Sequence, residues 1–222
     1  MQKWLRFLLL LLPVLISQNL RGQIPYNYTP EKPIYKNPNS IYWPDTVLNK
    51  KRVGAIAGIT AGGYTVAYTG LALAWYSGEE KVPFHLFEDW HEWSQMDKTG
   101  HILGGYQGSR VLIGLFKWSG MKKKESAIIA GLAGGLAVVP LEYFDGRVEK
   151  WGASISDCIA DVAGGALATT NELLWEEQRL QLKISYHPSP YQELRPDLFG
   201  DKYSRYLKDY NGHTLWLSGR VH

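Results

Sequence analysis

Four long apolar segments, separated by polar connections, dominate the hydropathy pattern of the chain. The first covers residues 53–76 and contains no charged side chain, the second covers 94–118, and the third covers 125–144. The fourth begins near Ser154 and runs into a charged stretch at 172–179. Closely spaced Gly and Ala residues favour tight contact between helices. We therefore predict a mainly α protein: an up-down four-helix bundle of Gly/Ala-rich helices, membrane-embedded or membrane-apposed, with a short C-terminal β element.

Local signals indicate where these helices begin and bend. Ser94 and Asp97 have the Ser-x-x-acid spacing of a capping box, and Ser154 and Asp157 repeat it before the fourth segment. Pro140 lies near the end of the third segment, where we expect it to kink the last turn. The two boxes predict helix starts at Ser94 and Ser154.

The segments before the bundle differ from it in composition. Residues 1–23 combine Lys3 and Arg6 with a leucine-rich run, which predicts an export signal peptide; an uncleaved anchor is the alternative. Residues 24–49 contain repeated prolines, which disfavour a helix and predict an extended arm. We assign residues 50–179 to the helical bundle.

The remaining residues, 180–222, form a tail of different character. Residues 180–186 alternate apolar and polar side chains, as a strand does. Asn211 and Gly212 give a turn signal, and a strand-like run follows them. The tail is therefore predicted to contribute strands and loops.

The net charge, the cysteine content and the positions of the basic residues limit which partners and which cellular locations the sequence predicts. The formal net charge of +3 is too small to indicate a nucleic-acid-binding protein, and a single cysteine, Cys158, rules out an internal disulfide. Export would leave the basic residues 50–52 outside the cytoplasm, whereas an inner-membrane protein keeps its excess of Lys and Arg inside. The second and fourth segments also carry too many polar residues to cross a membrane as independent spans. We therefore predict an exported protein of the bacterial periplasm, associated with the outer membrane; a multi-pass inner-membrane protein is the alternative.

Alternating helices would bring most of the ionisable residues of the bundle to one end. On a helix, Asp97 and His101 are four residues apart and share one face. The first candidates for catalysis or binding are Asp97, Lys98, His101, Glu142, Asp145 and Asp157. The secondary candidates are Tyr106, Arg110, Asp161, Trp93 and Trp151. The opposite end collects basic residues at 50–52, 117 and 122–124.

One interpretation of the first end is a divalent metal site. Imidazole and carboxylate ligands suit Zn, Mn or Fe, and they would come from His101, Asp97, Glu142 and Asp157. Water bound to such a metal becomes a nucleophile, which predicts a hydrolase acting on an envelope ester or phosphoester. The competing interpretation is structural, with Asp97 and Asp157 capping helices and Lys98 pairing with Glu142 or Asp145.

Two further interpretations require no catalysis. In the first, the polar pocket binds an envelope lipid or glycan group: aromatic rings stack on a sugar or frame a headgroup, while Lys98 and Arg110 meet phosphate. In the second, the polar residues form a buried network that fixes helix register in a protein with an envelope protein partner. We predict a binding or structural role first and the hydrolase second.

Short motifs within residues 53–168 resemble a family of uncharacterised bacterial proteins. The motifs are Gln95-Met-Asp-Lys98 with Gly100-His101 and Tyr106, Glu142 with Asp145-Gly146, and Trp151-Gly152 with Ser156-Asp157 and Gly164. They resemble domain-of-unknown-function family 2279, the YfiM-like predicted periplasmic or lipoprotein-like proteins. The same Asp-Lys-x-x-His, Glu and Ser-x-Asp pattern is more distantly similar to VanZ-like membrane proteins, in which an Asn commonly stands at the position of Asp161. The resemblance implies a fold and an envelope location, and no reaction.

Overall fold

The structure, a computed structural model, describes residues 44–76, 78–200 and 205–220. The predicted signal peptide at 1–23 and most of the predicted arm at 24–49 lie outside these residues. The described chain is mainly helical, with a short two-stranded antiparallel sheet near the C-terminus, and this part of the prediction is confirmed.

Five longer helices carry the fold in the described part of the chain. They are α1 (Lys50–Trp75), α2 (Met96–Trp118), α3 (Lys123–Leu136), α4 (Pro140–Asp145) and α5 (Ile155–Trp175). Three helices of four residues follow: α6 (Tyr191–Leu194), α7 (Pro196–Phe199) and α8 (Arg205–Lys208). The strands are β1 (Leu180–Tyr186) and β2 (His213–Gly219), and short 3-10 helices cover Glu92–Gln95 and Tyr210–Gly212. Both strands lie where the alternation and the Asn-Gly turn predicted them.

The predicted capping box before α2 is wrong, and the one before α5 is half formed. The N-cap of α2 is Gln95, without a side-chain cap, because the chain enters from a 3-10 helix with positive φ at Ser94 (51°) and Gln95 (65°). At α5, Ser154 Oγ accepts the backbone N–H of Asp157 at 3.1 Å. The backbone N–H of Ser154 is bound elsewhere, so the Asp157 carboxylate is not needed as a cap.

Pro140 acts differently from the predicted kink. The third helix ends at Leu136, and Pro140 is the first residue of the short helix α4. Proline is favoured at this position, because the first N–H of a helix has no intrahelical partner and the ring already has a helical φ. The predicted single helix at 125–144 is therefore two helices.

Helices α2, α3 and α5 pack against one another through glycines that let their backbones touch. A Cβ atom on Gly105 of α2 would overlap the backbone carbonyl of Asp161 in α5. A Cβ atom on Gly164 of α5 would overlap the carbonyl of Ile102 and lie 2.7 Å from the backbone N of Tyr106. These crossings fix the register of α2 against α5, and with it the relative positions of His101 and Asp161.

We expect Gly164→Ala to lower the free energy of unfolding by about 1–3 kcal/mol, because the added methyl group meets rigid backbone atoms. Gly100→Ala on α2 is the matched control, since nothing lies within 4 Å of its Cβ position. There the substitution should be neutral or stabilising by up to about 1 kcal/mol, from helix propensity alone. Thermal unfolding of the two purified variants beside the wild type measures the difference; equal stability would contradict the close crossing.

Helix α1 contacts the other helices near both of its ends. At its start, Arg52 donates to the carbonyl of Trp118 at 2.9 Å, and its guanidinium lies 4.1 Å from the centre of that indole ring. At its end, the Tyr76 ring lies 5.6 Å from Phe144 and 5.5 Å from Trp151. The start of α1 therefore lies beside the end of α2, and the end of α1 lies beside α4.

Much of the exposed surface of the helical region is apolar. Residues 53–75 and 126–141 carry no charged side chain, and the two charges within 155–171, Asp157 and Asp161, are buried. The exposed large side chains on these helices are instead apolar, including Ile59, Val66, Leu73, Ile128, Ile129, Leu132, Leu136, Ile155, Ile159 and Val162. Among the described residues, one helical stretch, Lys123–Asp145, is long and apolar enough to cross a membrane by length and composition.

Residues 186–213 form a separate compact unit within the predicted tail, whereas 180–185 and 214–220 belong to the unit that contains the helices. The buried carboxylate of Asp209 organises the separate unit. It accepts the backbone N–H of Ser189 at 2.9 Å, the Ser189 hydroxyl at 2.7 Å and the Tyr186 hydroxyl at 3.1 Å. Burial would raise the pKa of Asp209, but these hydrogen bonds outweigh it and lower the pKa.

Candidate functional site

Lys98, in the first turn of α2, is buried between two carboxylates. Its Nζ lies 2.8 Å from Asp89 Oδ1 and 3.2 Å from Asp157 Oδ1. Its predicted pairing with Glu142 or Asp145 is therefore wrong, because the chain before α2 and the start of α5 bring other carboxylates closer. A buried ammonium group is tolerated when its charge is balanced and its protons are bonded.

Asp89 is held at the site by backbone pairing of its own segment. Ala153 pairs with this segment: its N–H donates to the carbonyl of His85 at 3.0 Å, and its carbonyl accepts the N–H of Phe87 at 3.0 Å. Asp89 Oδ1 then accepts the hydroxyl groups of Ser154 at 2.8 Å and Ser156 at 3.0 Å. Burial would raise the pKa of Asp89, but hydrogen bonds from Lys98 and the serines outweigh it and lower the pKa to about 2.

His101, one turn further along α2, lies between two buried carboxylates. Its Nδ1 is 3.0 Å from Asp161 Oδ1, and its Nε2 is 3.7 Å from Glu142 Oε1. A carboxylate only accepts, so Nδ1 donates its N–H to Asp161. This bond fixes the orientation of the ring and directs Nε2 toward Glu142.

Glu142 ties α4 to the start of α5. Its Oε2 accepts the backbone N–H of Ser154 at 2.7 Å, which leaves Oε1 facing His101. Asp145, three residues later, accepts the hydroxyl of Tyr76 at 2.9 Å. The two carboxylates predicted from this segment therefore have different partners, and Glu142 is the one that contacts His101.

Asp97, His101 and Asp157 come together as one group. A nitrogen of His101 and one oxygen of each carboxylate all lie within 4.8 Å of one another. We call the connected set of side chains the polar cluster; its members are Asp89, Asp97, Lys98, His101, Glu142, Ser154, Ser156, Asp157 and Asp161. Five carboxyl groups in this set face two basic groups, Lys98 and His101.

Of the secondary candidates, Asp161 belongs to the polar cluster and the other four lie outside it. Tyr106 is fully buried and its hydroxyl donates to the carbonyl of Leu180 at 3.0 Å. Arg110 donates to Gln107 Oε1 at 3.2 Å and lies 5.5 Å from the Tyr106 ring centre. Trp151 packs edge-on against Tyr76. The backbone of Trp93 belongs to the 3-10 helix before α2, and its side chain is outside the described part of the structure.

An open and mostly apolar groove lies beside the polar cluster. Its lining is Leu86, Phe87, Glu88, Trp90, Ile155, Ser156 and Ile159. Ser156 belongs to both, because its hydroxyl donates to Asp89 while its residue lines the groove. The groove therefore runs from the exposed apolar face of α5 to the edge of the polar cluster.

Sequence reasoning missed Asp89, Ser154 and Ser156 as members of the site. Asp89 stands in a segment with several other acidic residues, and no spacing rule distinguishes it from Glu79, Glu80 or Glu88. Ser154 was recognised for its capping spacing, which is a usable signal, although the side chain also bonds to Asp89.

Comparison of the chain with models of protein families, with curated proteins and with solved structures gave no match in any of the three. The resemblance to family 2279 and to the VanZ-like proteins therefore stays a prediction.

Proposed function

We propose that this chain is a membrane-embedded protein of the bacterial envelope, folded as an up-down four-helix bundle, whose polar cluster binds the polar group of an envelope lipid. One observation carries the proposal. The exposed surfaces of residues 53–75, 126–141 and 155–171 carry no charge and are mostly apolar. Arg110 is a half-buried charge near the middle of α2, and the other charges of the helices are buried or lie near helix ends. Hydrocarbon around the bundle is the environment that favours this arrangement.

Helix length supports the placement. Helix α1 has 26 residues and is about 39 Å long at about 1.5 Å per residue, enough for a hydrocarbon core of about 30 Å. From sequence, the polar residues of α2 and α5 argue against independent spans. In the structure the charged residues of these two helices are buried or half-buried. Exposed basic residues at 50–51 and 122–124 then suit anionic headgroups at one end.

The groove supports a lipid as the ligand. An acyl chain in it would contact Trp90, Ile155 and Ile159, which are otherwise exposed. Ser156 lines the groove and also bonds to Asp89, so a headgroup near Ser156 would lie beside the polar cluster. Because the groove opens on the face of α5 that the proposal places in hydrocarbon, a lipid can enter it without crossing water.

Co-purified lipid measures this function. We expect wild-type protein extracted with mild detergent to retain lipid that mass spectrometry detects. The double variant that combines Ile159→Ala with Trp90→Ala should retain at least tenfold less lipid. Truncating an isoleucine that the bound acyl chain would fully cover removes about 2 kcal/mol of apolar contact, and each 1.4 kcal/mol corresponds to about tenfold in affinity.

Ile129→Ala is the matched control, because Ile129 is also an exposed isoleucine on a helix but does not line the groove. It should retain lipid as the wild type does. Equal retention by all three proteins would show that the groove holds no specific lipid.

A further inference from the structure

We propose that Asp97, His101 and Asp157 bind a divalent transition-metal ion, with Glu142 Oε1 3.7 Å from the Nε2 atom of His101. The inference goes beyond lipid binding and does not depend on it. It rests on the geometry of one imidazole and two carboxylates from α2 and α5, which belong to the same compact unit.

The three side chains lie close enough for one ion to draw them together. Their ligand atoms lie within 4.8 Å of one another. Two ligands of one tetrahedral ion at bond lengths of about 2.0–2.2 Å are about 3.3–3.6 Å apart, so these ligand atoms must approach one another by up to about 1.5 Å to complete the site. A ligand set of one imidazole with carboxylates suits Zn²⁺, Mn²⁺ or Fe²⁺.

His101 is already oriented as a metal ligand. Asp161 holds its Nδ1 at 3.0 Å, which leaves Nε2 as the nitrogen for the ion. Metal-binding histidines commonly donate their second N–H to a carboxylate in this way, which fixes the ring and raises its basicity. Asp161 is itself fully buried, and among the described residues its Oδ2 has no hydrogen-bond partner.

Asp157 is a buried carboxylate that faces both basic groups of the polar cluster. Its Oδ1 lies 3.2 Å from Lys98 Nζ, and one of its oxygens lies within 4.8 Å of a His101 nitrogen. Its predicted capping role is not used, because Glu142 takes the backbone N–H of Ser154. A buried carboxylate is costly unless cations or donors face it, and the ion would join Lys98 in that role.

The charge of the polar cluster also favours a cation. Lys98 is shared between Asp89 and Asp157, and His101 lies between Asp161 and Glu142. A divalent ion among Asp97, His101 and Asp157 would add positive charge beside these carboxyl groups. It would also give an anionic lipid headgroup a positive partner that the buried Lys98 cannot provide.

Metal binding is tested directly on the full-length protein purified in detergent. We expect one Zn²⁺ or Mn²⁺ per chain by elemental analysis after incubation and dialysis, with a rise in Tm on adding that ion. Asp97→Asn and Asp157→Asn should each lose the stoichiometric ion and the Tm shift. Asp161→Asn should keep the ion but bind it about 10–100-fold more weakly, since it alters only the support of His101.

Glu149→Gln is the control, since it removes a carboxylate outside the polar cluster; it should bind metal as the wild type does. His101→Gln provides a second ligand variant if an Asp→Asn protein fails to fold. A wild type without stoichiometric metal or Tm shift overturns the proposal. Equal metal in wild type and the ligand variants also overturns it, because the ion then binds elsewhere. Lipid retention is measured separately, so either proposal can fail alone.

Discussion

Replacing Lys98 with Met is expected to lower the free energy of unfolding by about 3–5 kcal/mol, which is the usual cost of breaking a buried ion pair by removing one partner. The substitution leaves Asp89 and Asp157 facing each other without the ammonium group that lies 2.8 and 3.2 Å from them. Methionine keeps the length and the apolar stem of the side chain, so the loss reports on charge and hydrogen bonding and not on a cavity.

Two further variants make the test specific. Lys98→Met combined with Asp157→Asn should recover part of the lost stability, because one of the two unbalanced charges is removed with the lysine. Lys150→Met is the matched control: Lys150 is exposed and its nearest ion-pair partner, Glu79, is 3.9 Å away. Exposed pairs contribute about 0–1 kcal/mol. Chemical unfolding in detergent measures all four proteins, and similar losses for Lys98→Met and Lys150→Met would mean that the buried ion pairs contribute little.

Leu132→Asp is expected to disrupt membrane insertion or folding by about 2.5–3.5 kcal/mol if the outward face of α3 contacts hydrocarbon, the cost of a charge at the centre of a membrane span. Leu132 is 61% exposed and lies near the middle of the Lys123–Asp145 stretch. In a protein surrounded by water, the same change at an exposed helix position would alter stability by about 0.5 kcal/mol or less. The two environments therefore predict clearly different outcomes.

Leu217→Asp is the matched control for this experiment. Leu217 is 70% exposed on β2, outside the helices, so the same substitution adds the same charge without reaching hydrocarbon. The measurement is the fraction of each protein that stays in membranes after an alkaline wash and its Tm in detergent. A Leu132→Asp protein that behaves like Leu217→Asp would place the helices in water.

Patterns of local residues predicted the helices and strands well, because each has a strong periodic or turn signal. The alternation at 180–186 and the cap at Ser154 mark elements that the structure contains. The failure at Ser94 has a physical cause: a Ser-x-x-acid spacing says nothing about backbone that arrives from a 3-10 helix. Pro140 carried a correct signal of interruption, but its sequence position could not distinguish a kink from a new helix.

The members of the polar cluster were harder to predict than the helices. Asp97, Lys98, His101, Glu142 and Asp157 stood out because they interrupt or border apolar segments. Their pairing depends on tertiary contacts. For example, His85 and Phe87 form backbone hydrogen bonds with Ala153, and this pairing positions Asp89 next to Lys98. No single segment of sequence carries that information.

The two residues that precede α2 store conformational strain. Ser94 and Gln95 both have left-handed φ values, which disfavour side chains with a Cβ atom and cost about 1–3 kcal/mol each. Relaxation of either residue toward negative φ would rotate the first turn of α2, which carries Asp97 and Lys98. Relaxation of the backbone at Ser94 and Gln95 is therefore coupled to the positions of these two charges. The contacts that hold Lys98 in place also keep these two residues in their strained conformation.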